Sequence, residues 1–247
     1  MALNSAMLKA LSERIIPGTK IACMGYPDII YPAKELEKLL GAKMRGLKYR
    51  EDSEAICKRH GLSDRRIPDA DSLFGLLGAT LDVFDIVENR GGEIIRDLNE
   101  PWGRDFHYSE KYDFVLDIGT LEHCFNIGQA AFNMASLVRR GGTIFHENPF
   151  NWGNHGLYNL NPTWYSDFYI ANGFTLLYCQ LLNRTEVTTN IPPNGRFVWD
   201  RPGEYNILAY ARRDAILPFI FPKQHKYRSS PSLGQMVPPT LKRAIGA

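Results

Sequence analysis

Three aspartates in this chain stand at or near the ends of short apolar runs, and that placement is the first pointer to chemistry. Asp85 lies near the end of Leu81-Asp82-Val83-Phe84-Asp85-Ile86, Asp97 near the end of Glu93-Ile94-Ile95-Arg96-Asp97-Leu98, and Asp117 near the end of Tyr112-Asp113-Phe114-Val115-Leu116-Asp117-Ile118-Gly119. A fourth run, Lys20-Ile21-Ala22-Cys23-Met24-Gly25, stops at a glycine. If these runs are parallel strands, a ligand binds outside their carboxyl ends. An ionised carboxylate only accepts hydrogen bonds and has two oxygens to do so. An acid after the second strand therefore suits the two hydroxyls of a ribose, and one after the third suits an exocyclic adenine amine. A glycine at the first turn lets the backbone approach a ligand closely. A lone strand-end aspartate is more often a turn or cap residue. Three on consecutive strands favour a nucleotide-type layout.

The second concentration is His146-Glu147-Asn148-Pro149-Phe150-Asn151-Trp152-Gly153-Asn154-His155-Gly156-Leu157-Tyr158. It holds two histidines, and an imidazole with a pKa near 6.5 can take a proton at neutral pH. His155, in a loop with Gly153 and Gly156, is the first candidate for a base; its bland alternative is holding the loop by a backbone hydrogen bond. His146 lies inside a run and reads as structural. The spacing of His146, Glu147 and His155 matches no standard metal motif, so no metal is expected. Trp152, Tyr158 and Trp164 are candidates for an acceptor pocket. The helical spacing of Trp164, Tyr165, Phe168 and Tyr169 equally predicts plain packing.

The elements that must position these residues are readable in outline. Leu3, Met7 and Leu11 predict a helix within residues 2–14, ended by Pro17-Gly18. Residues 33–80 read as mostly helical, an insertion or lid, with Asp69 capping a helix that Gly78 ends. The spacing predicts a helix over 127–140, with Arg139 and Arg140 in its last turn and Gly141 as its left-handed cap. A strand follows at Thr143–Glu147. Asn161-Pro162 is a helix start, with Gly173 as the stop. Strands are expected at Phe174–Leu182 and Tyr205–Ala211, close enough to be antiparallel neighbours, with a loop insertion at 183–204 between them. Strands alternating with helices predict an α/β fold: a mainly parallel sheet with helices on both faces.

The chain has 247 residues, which suits one α/β domain, here 1–214. With 44% hydrophobic and 23% charged residues it is not a disordered chain, a coiled coil or a collagen-like repeat. Its 29 Lys+Arg against 27 Asp+Glu give a formal charge of +2, too small to argue for nucleic acid or a membrane surface. No apolar run approaches a bilayer span, and the start MALNSAMLKALSER reads as no secretory signal. Four scattered cysteines without a CxxC pair point to a reducing cytoplasm. Residues 215–247 hold five prolines, five Lys+Arg and no acid, and read as an extended C-terminal arm.

The segment KYDFVLDIGTLEHCFNIGQAAFNMASLVRRGGTIFHENPF resembles the fourth and fifth strands of class I S-adenosylmethionine-dependent methyltransferases. The resemblance lies in a strand ending in an acid, Thr120-Leu121-Glu122-His123 stepping into a helix, and Arg140-Gly141-Gly142 opening the next strand. DVFDIVENRGGEIIRDLNEPW is similar to that family's second and third strands, and NPTWYSDFYIANGF to its later helix. Together the likeness covers roughly residues 15–30 and 80–212. It implies a Rossmann-like methyltransferase fold with seven strands, the last antiparallel. It also implies S-adenosylmethionine as cofactor, with S-adenosylhomocysteine as product. Gly25, Asp85, Asp97, Leu98, Asp117, Gly119, Thr120 and Glu122 are then the cofactor contacts. His155 and His123 are the catalytic candidates, although Glu122 and His123 equally suit capping the helix that follows. The acceptor is expected to be a small molecule or glycan taking the methyl group on O or N, with a homodimer left open.

The chain departs from the family in its first loop, Cys23-Met24-Gly25-Tyr26-Pro27-Asp28, which has one glycine and a proline. It also has too few residues between Asp85 and Asp97 for a helix. These departures keep a second reading alive, a methyltransferase-like binding or partner subunit. A nicotinamide oxidoreductase is disfavoured because no GxGxxG follows a strand. A nucleic-acid methyltransferase is disfavoured because no Asn/Asp-Pro-Pro-Tyr-type motif occurs.

Overall fold

In the computed structural model, residues 2–3, 5–103, 107–183, 187–188, 190–192 and 196–228 are described. The core is one seven-stranded sheet. Its strands are β1 (Thr19–Met24), β2 (Ala79–Asp85), β3 (Ile94–Ile95), β4 (Tyr112–Ile118), β5 (Val138–Pro149), β6 (Phe174–Leu182) and β7 (Asn206–Arg213). They lie in the order β3-β2-β1-β4-β5-β7-β6. Strands β1 to β5 are parallel, and β7 runs antiparallel between β5 and β6. This is the Rossmann-like methyltransferase fold that the sequence implied. The chain leaves β1 toward β2 and β3, then returns past β1 to β4, so the topological switch point falls between β1 and β4.

Helices cover both faces. On one side α1 (Ser5–Ser12), α2 (Ala33–Leu40) and α4 (Ala70–Leu77) pack through Leu8, Leu36, Leu73 and Phe74. On the other, α5 (Ile127–Leu137) and α6 (Pro162–Ala171) pack through Met134, Leu137, Tyr165 and Tyr169. A short α3 (Ser53–Arg59) lies between α2 and α4. The local signals behave as expected. Asp69 accepts from the Ser72 N–H and Gly78 ends α4 at φ 93°, while Asn161 accepts from the Thr163 N–H ahead of Pro162.

Four boundaries differ from expectation. Ala2 and Leu3 are not helical: they pair in parallel with Asp28 and Ile29, because that segment offers them a backbone ladder. Helix α5 stops at Leu137, so Arg139, Arg140 and Gly141 belong to a bulge in β5. The bulge lets Gly142 pass the edge of β4. A Cβ there would stand 2.7 Å from the Tyr112 carbonyl oxygen, so only glycine fits. Strand β3 is two residues long, not six. Glu93 accepts from the Asn89 and Arg90 N–H groups, and Asp97 from Asn99, so its polar flanks are spent on turns. Finally, β7 runs on to Arg213, opposite Phe174.

The described part of the C-terminal arm lies against α6. Asn172 exchanges hydrogen bonds with Ile220, and Asp167 accepts from Arg228. Residues 229–247 lie outside the described residues. No helix among the described residues is long and apolar enough to cross a membrane.

Candidate active site

Asp117 organises the switch point. It is fully buried, and its carboxylate meets four protein donors. Oδ1 accepts from the Thr120 and Leu121 N–H groups at 3.0 and 3.1 Å. Oδ2 pairs with His146 Nδ1 at 2.6 Å and accepts from Asn148 Nδ2 at 2.9 Å. Those contacts fill the acceptor sites of a carboxylate, so Asp117 offers a ligand no free side-chain oxygen. Since the carboxylate can only accept, His146 donates to it from Nδ1, and Nε2 is hydrogen-bonded to the Tyr169 hydroxyl. Tyr165 in turn donates to Asn148 Oδ1 at 2.5 Å. His146 is structural, as its place within a strand suggests. Thr120 ties the switch point together by donating from Oγ1 to the Met24 carbonyl across β1 and β4. Gly119 sits at φ 80° and Gly25 at φ 76°, so both strand-end turns use left-handed backbone that favours glycine.

Above this hub the structure assembles Glu122, His123 and His155. Glu122 is buried, with Asn148 Nδ2 on Oε2 at 3.0 Å. Its Oε1 stands 3.6 Å from His155 Nε2 and 3.8 Å from His123 Nε2. Burial and the nearby Asp117 push the Glu122 carboxyl up to about 7. Burial and the neighbouring His155 hold the His123 imidazole below its usual value. The loop after β5 is held down here because the Leu157 and Tyr158 N–H groups donate to the Glu122 carbonyl. Trp152 packs on His155 with ring centroids 5.0 Å apart, and Tyr158 donates to the Phe125 carbonyl. Of the three proposed pocket aromatics, Trp152 borders the histidine pair and Tyr158 is tied to the Glu122 and Phe125 carbonyls beside it. Trp164 instead stacks on Phe168 within α6, as helical spacing equally allowed.

Asp85 stands apart from that group, at the end of β2. Its Oδ1 accepts from the Ile86 and Val87 N–H groups, while Oδ2 has no hydrogen-bond donor among the described residues. Asp85 lines a cavity of about 700 Å³ together with Tyr26, Asp28, Arg50, Asp52, Asp69 and Arg90, among others. The 33–80 segment therefore supplies one wall. Asp28 is spent: it pairs with Arg50, Arg59 and His60 at 3.5, 3.4 and 2.9 Å. The Tyr26 hydroxyl donates to Asp69, and the Arg90 guanidinium lies 4.1 Å over the Tyr26 ring. Asp97 and Leu98 form a third place. Asp97 Oδ1 accepts from Asn99, and Asn99 is joined to Asn126 at the start of α5. Asp97 Oδ2 carries no donor among the described residues.

Asn148, Arg50 and Arg90 were not singled out from sequence, and Tyr165 and Tyr169 were read only as pocket wall or packing, not as hydrogen-bond partners of the buried Asn148 and His146. Asn148 sits beside the expected strand-end pair His146-Glu147, and that adjacency was the one signal available. Tyr165, Tyr169 and Arg90 act through partners more than 15 residues away, as does Arg50 in its pairing with Asp28. His146, Glu147 and His155 do not come together: Glu147 faces Asn206, which donates to it at 2.9 Å. Burial pushes the Glu147 carboxyl up to about 7. Ionisation then favours the unfolded chain, whose carboxyl titrates near 4.5, so Glu147 costs stability as pH rises from about 4.5 through 7. Glu147→Gln keeps the Asn206 hydrogen bond and removes that cost. Its melting temperature is expected to match wild type at pH 5 and to exceed it by roughly 5 °C at pH 8, by differential scanning fluorimetry.

No protein-family profile matches this chain, and no curated protein matches it. Solved structures do. The 1,6-didemethyltoxoflavin-N1-methyltransferase of Burkholderia thailandensis, solved with 1,6-didemethyltoxoflavin and S-adenosylhomocysteine, is 14% identical. The match covers 85% of this chain and 76% of that one, at a TM-score of 0.45. The citrinin polyketide synthase CMeT domain is 10% identical over 85% of this chain and 51% of that one, TM-score 0.41. A protein described as a Zn-dependent alcohol dehydrogenase from Rhodobacter sphaeroides is 17% identical over 62% and 49%, TM-score 0.34. Likeness at this level adds nothing to what the strand order states by itself.

Proposed function

We propose that this chain is an S-adenosylmethionine-dependent methyltransferase acting on an oxygen or nitrogen of a small molecule or glycan. The observation that carries the reading is Asp85. It holds a carboxylate oxygen with no donor among the described residues, at the end of β2, on a cavity of about 700 Å³ in a methyltransferase-type sheet. Such a volume suits a cofactor-sized ligand. The cavity lining carries five carboxylates (Asp28, Glu51, Asp52, Asp69, Asp85) against three guanidiniums (Arg50, Arg59, Arg90), a balance that suits a sulfonium cation.

The cofactor supplies an electrophilic methyl group; the chain binds, orients and activates. Asp85 takes the ribose, and Asp97 with Leu98 flanks the adenine. Gly25, Gly119 and Thr120 line the methionine end, where Asp117 fixes the backbone. Glu122 closes the acceptor side of that floor. His155 and His123 activate the nucleophile there, walled by Trp152 and Tyr158; residues 184–186, 189 and 193–195 of the 183–204 insertion lie outside the described residues. Methyl transfer is largely a matter of positioning, with proton removal added when the nucleophile needs it. The natural setting of this activity is the cytoplasm.

One observation favours the second reading, a cofactor-free partner subunit. Pro27 has no N–H to offer, and the Gly25 N–H already donates to the Phe84 carbonyl. The test is transfer of labelled methyl from S-adenosylmethionine to a panel of phenols, amines and sugars. Wild type is expected to label at least one class, and His155→Ala to lose on the order of 100-fold in rate with cofactor affinity unchanged. Absence of transfer together with absence of cofactor binding selects the partner reading.

A further inference from the structure

We propose that Glu122, His123 and His155 form a binding site for one divalent transition-metal ion. Their ligand atoms all lie within 4.8 Å of one another. A tetrahedral zinc site with bonds of about 2.1 Å has its ligand atoms about 3.4 Å apart. The Glu122–His155 and Glu122–His123 separations of 3.6 and 3.8 Å are within a few tenths of an ångström of that, and the two exposed imidazoles, whose ligand atoms stand within 4.8 Å of each other, close the rest by side-chain rotation. Two imidazoles and one carboxylate suit zinc, iron or cobalt; magnesium and calcium prefer all-oxygen sites.

The surroundings favour the same use. Glu122 is a buried carboxylate close to a second one, Asp117, with Asn148 Nδ2 donating to both. Among the described residues no lysine or arginine pairs with Glu122; its ion-pair partners are the two histidines alone. Buried charges are normally paired or coordinate a metal. The Asn148 amide, held in turn by Tyr165, orients Glu122 as an outer partner orients a metal ligand. The loop carrying His155 is pinned at its neighbour, Gly156, where a Cβ would stand 2.9 Å from Glu122 Cγ. Both histidines are partly exposed, at 49% and 41% of their side chains, so a bound ion keeps open positions toward solvent. Three protein ligands with an open position is the pattern of a catalytic metal site. The occupant of that position would be an oxygen- or nitrogen-bearing acceptor. That use rests on the methyltransferase reading, but binding of the ion does not.

The test is titration of the full-length chain, stripped with EDTA, with Co²⁺ and then Zn²⁺ in the absence of S-adenosylmethionine. One equivalent of Co²⁺ is expected to bind with visible d–d bands of low-symmetry coordination, and Zn²⁺ to displace it. His123→Ala and His155→Ala, on exposed side chains, are each expected to weaken binding by 100-fold or more with unchanged circular dichroism, exceeding the 10–100-fold typical of outer-partner loss. His107→Ala, far along the chain on an exposed residue, is expected to bind as wild type. No stoichiometric binding, or binding undiminished in both variants, overturns the proposal. Because the readout is cofactor-free, metal binding without S-adenosylmethionine binding supports the site while refuting the methyltransferase reading.

Discussion

Asp117→Ala is expected to lower the melting temperature by about 10 °C or more, the largest stability effect of any single substitution in the site. The carboxylate stands fully buried between four donors: the Thr120 and Leu121 N–H groups, His146 Nδ1 and Asn148 Nδ2. Alanine removes the acceptor and strands those donors, and an unpaired buried polar group costs roughly 1–3 kcal/mol. Some relax toward water. Losing several such hydrogen bonds together still costs on the order of 3–5 kcal/mol, and each kcal/mol moves the midpoint of a chain this long by about 2–4 °C. Asp117→Asn separates shape from chemistry. It fits the space, but its amide turns a donor toward donors, so it is expected to recover only part of the loss. Thermal unfolding followed by circular dichroism measures both. A drop of under 2 °C for alanine would show that the switch-point turn is not held by this carboxylate.

Asp85→Ala is expected to weaken S-adenosylmethionine binding by about 10- to 100-fold with little effect on folding. Charge-assisted hydrogen bonds contribute roughly 1.5–3 kcal/mol each, and each 1.4 kcal/mol is tenfold in affinity. The side chain's own commitments are two local ones, to the Ile86 and Val87 N–H groups of the following turn. Their loss exposes donors at the surface, where water replaces the carboxylate. Asp85→Asn keeps one acceptor oxygen and is expected to fall between alanine and wild type. The shift in melting temperature produced by saturating S-adenosylhomocysteine reads the effect, since ligand binding stabilises the folded chain by mass action. Equal shifts in wild type and Asp85→Ala would move the cofactor away from β2.

What sequence reveals here follows the range of the interactions. The Asp69 cap with Gly78, the Asn161-Pro162 start and the Phe174–Leu182 strand are local, and each is found where it is expected. The length of β3 is not local. Ile94 and Ile95 alone find the edge of β2, and their polar neighbours turn away. The bulge at Arg139–Gly142 depends on how closely β4 passes, which no helical periodicity records. The same holds in the site. Asp85 and Gly25 stand out because strand ends are visible in sequence. The closeness of His123 to His155, 32 positions apart, arises only when the Glu122 carbonyl captures the 156–158 loop. Asp28 is the acid of the first loop, yet Arg50, Arg59 and His60 from the helical 33–80 segment, 22 to 32 positions away, consume it.

The central claim is that the ends of β1, β2 and β4 hold S-adenosylmethionine despite the proline in the first loop. Calorimetric titration of the wild-type chain with S-adenosylmethionine, and separately with S-adenosylhomocysteine, tests it most directly. One site per chain for each ligand is the expected result. A folded chain that binds neither would contradict the account and leave the sheet as the scaffold of a partner subunit.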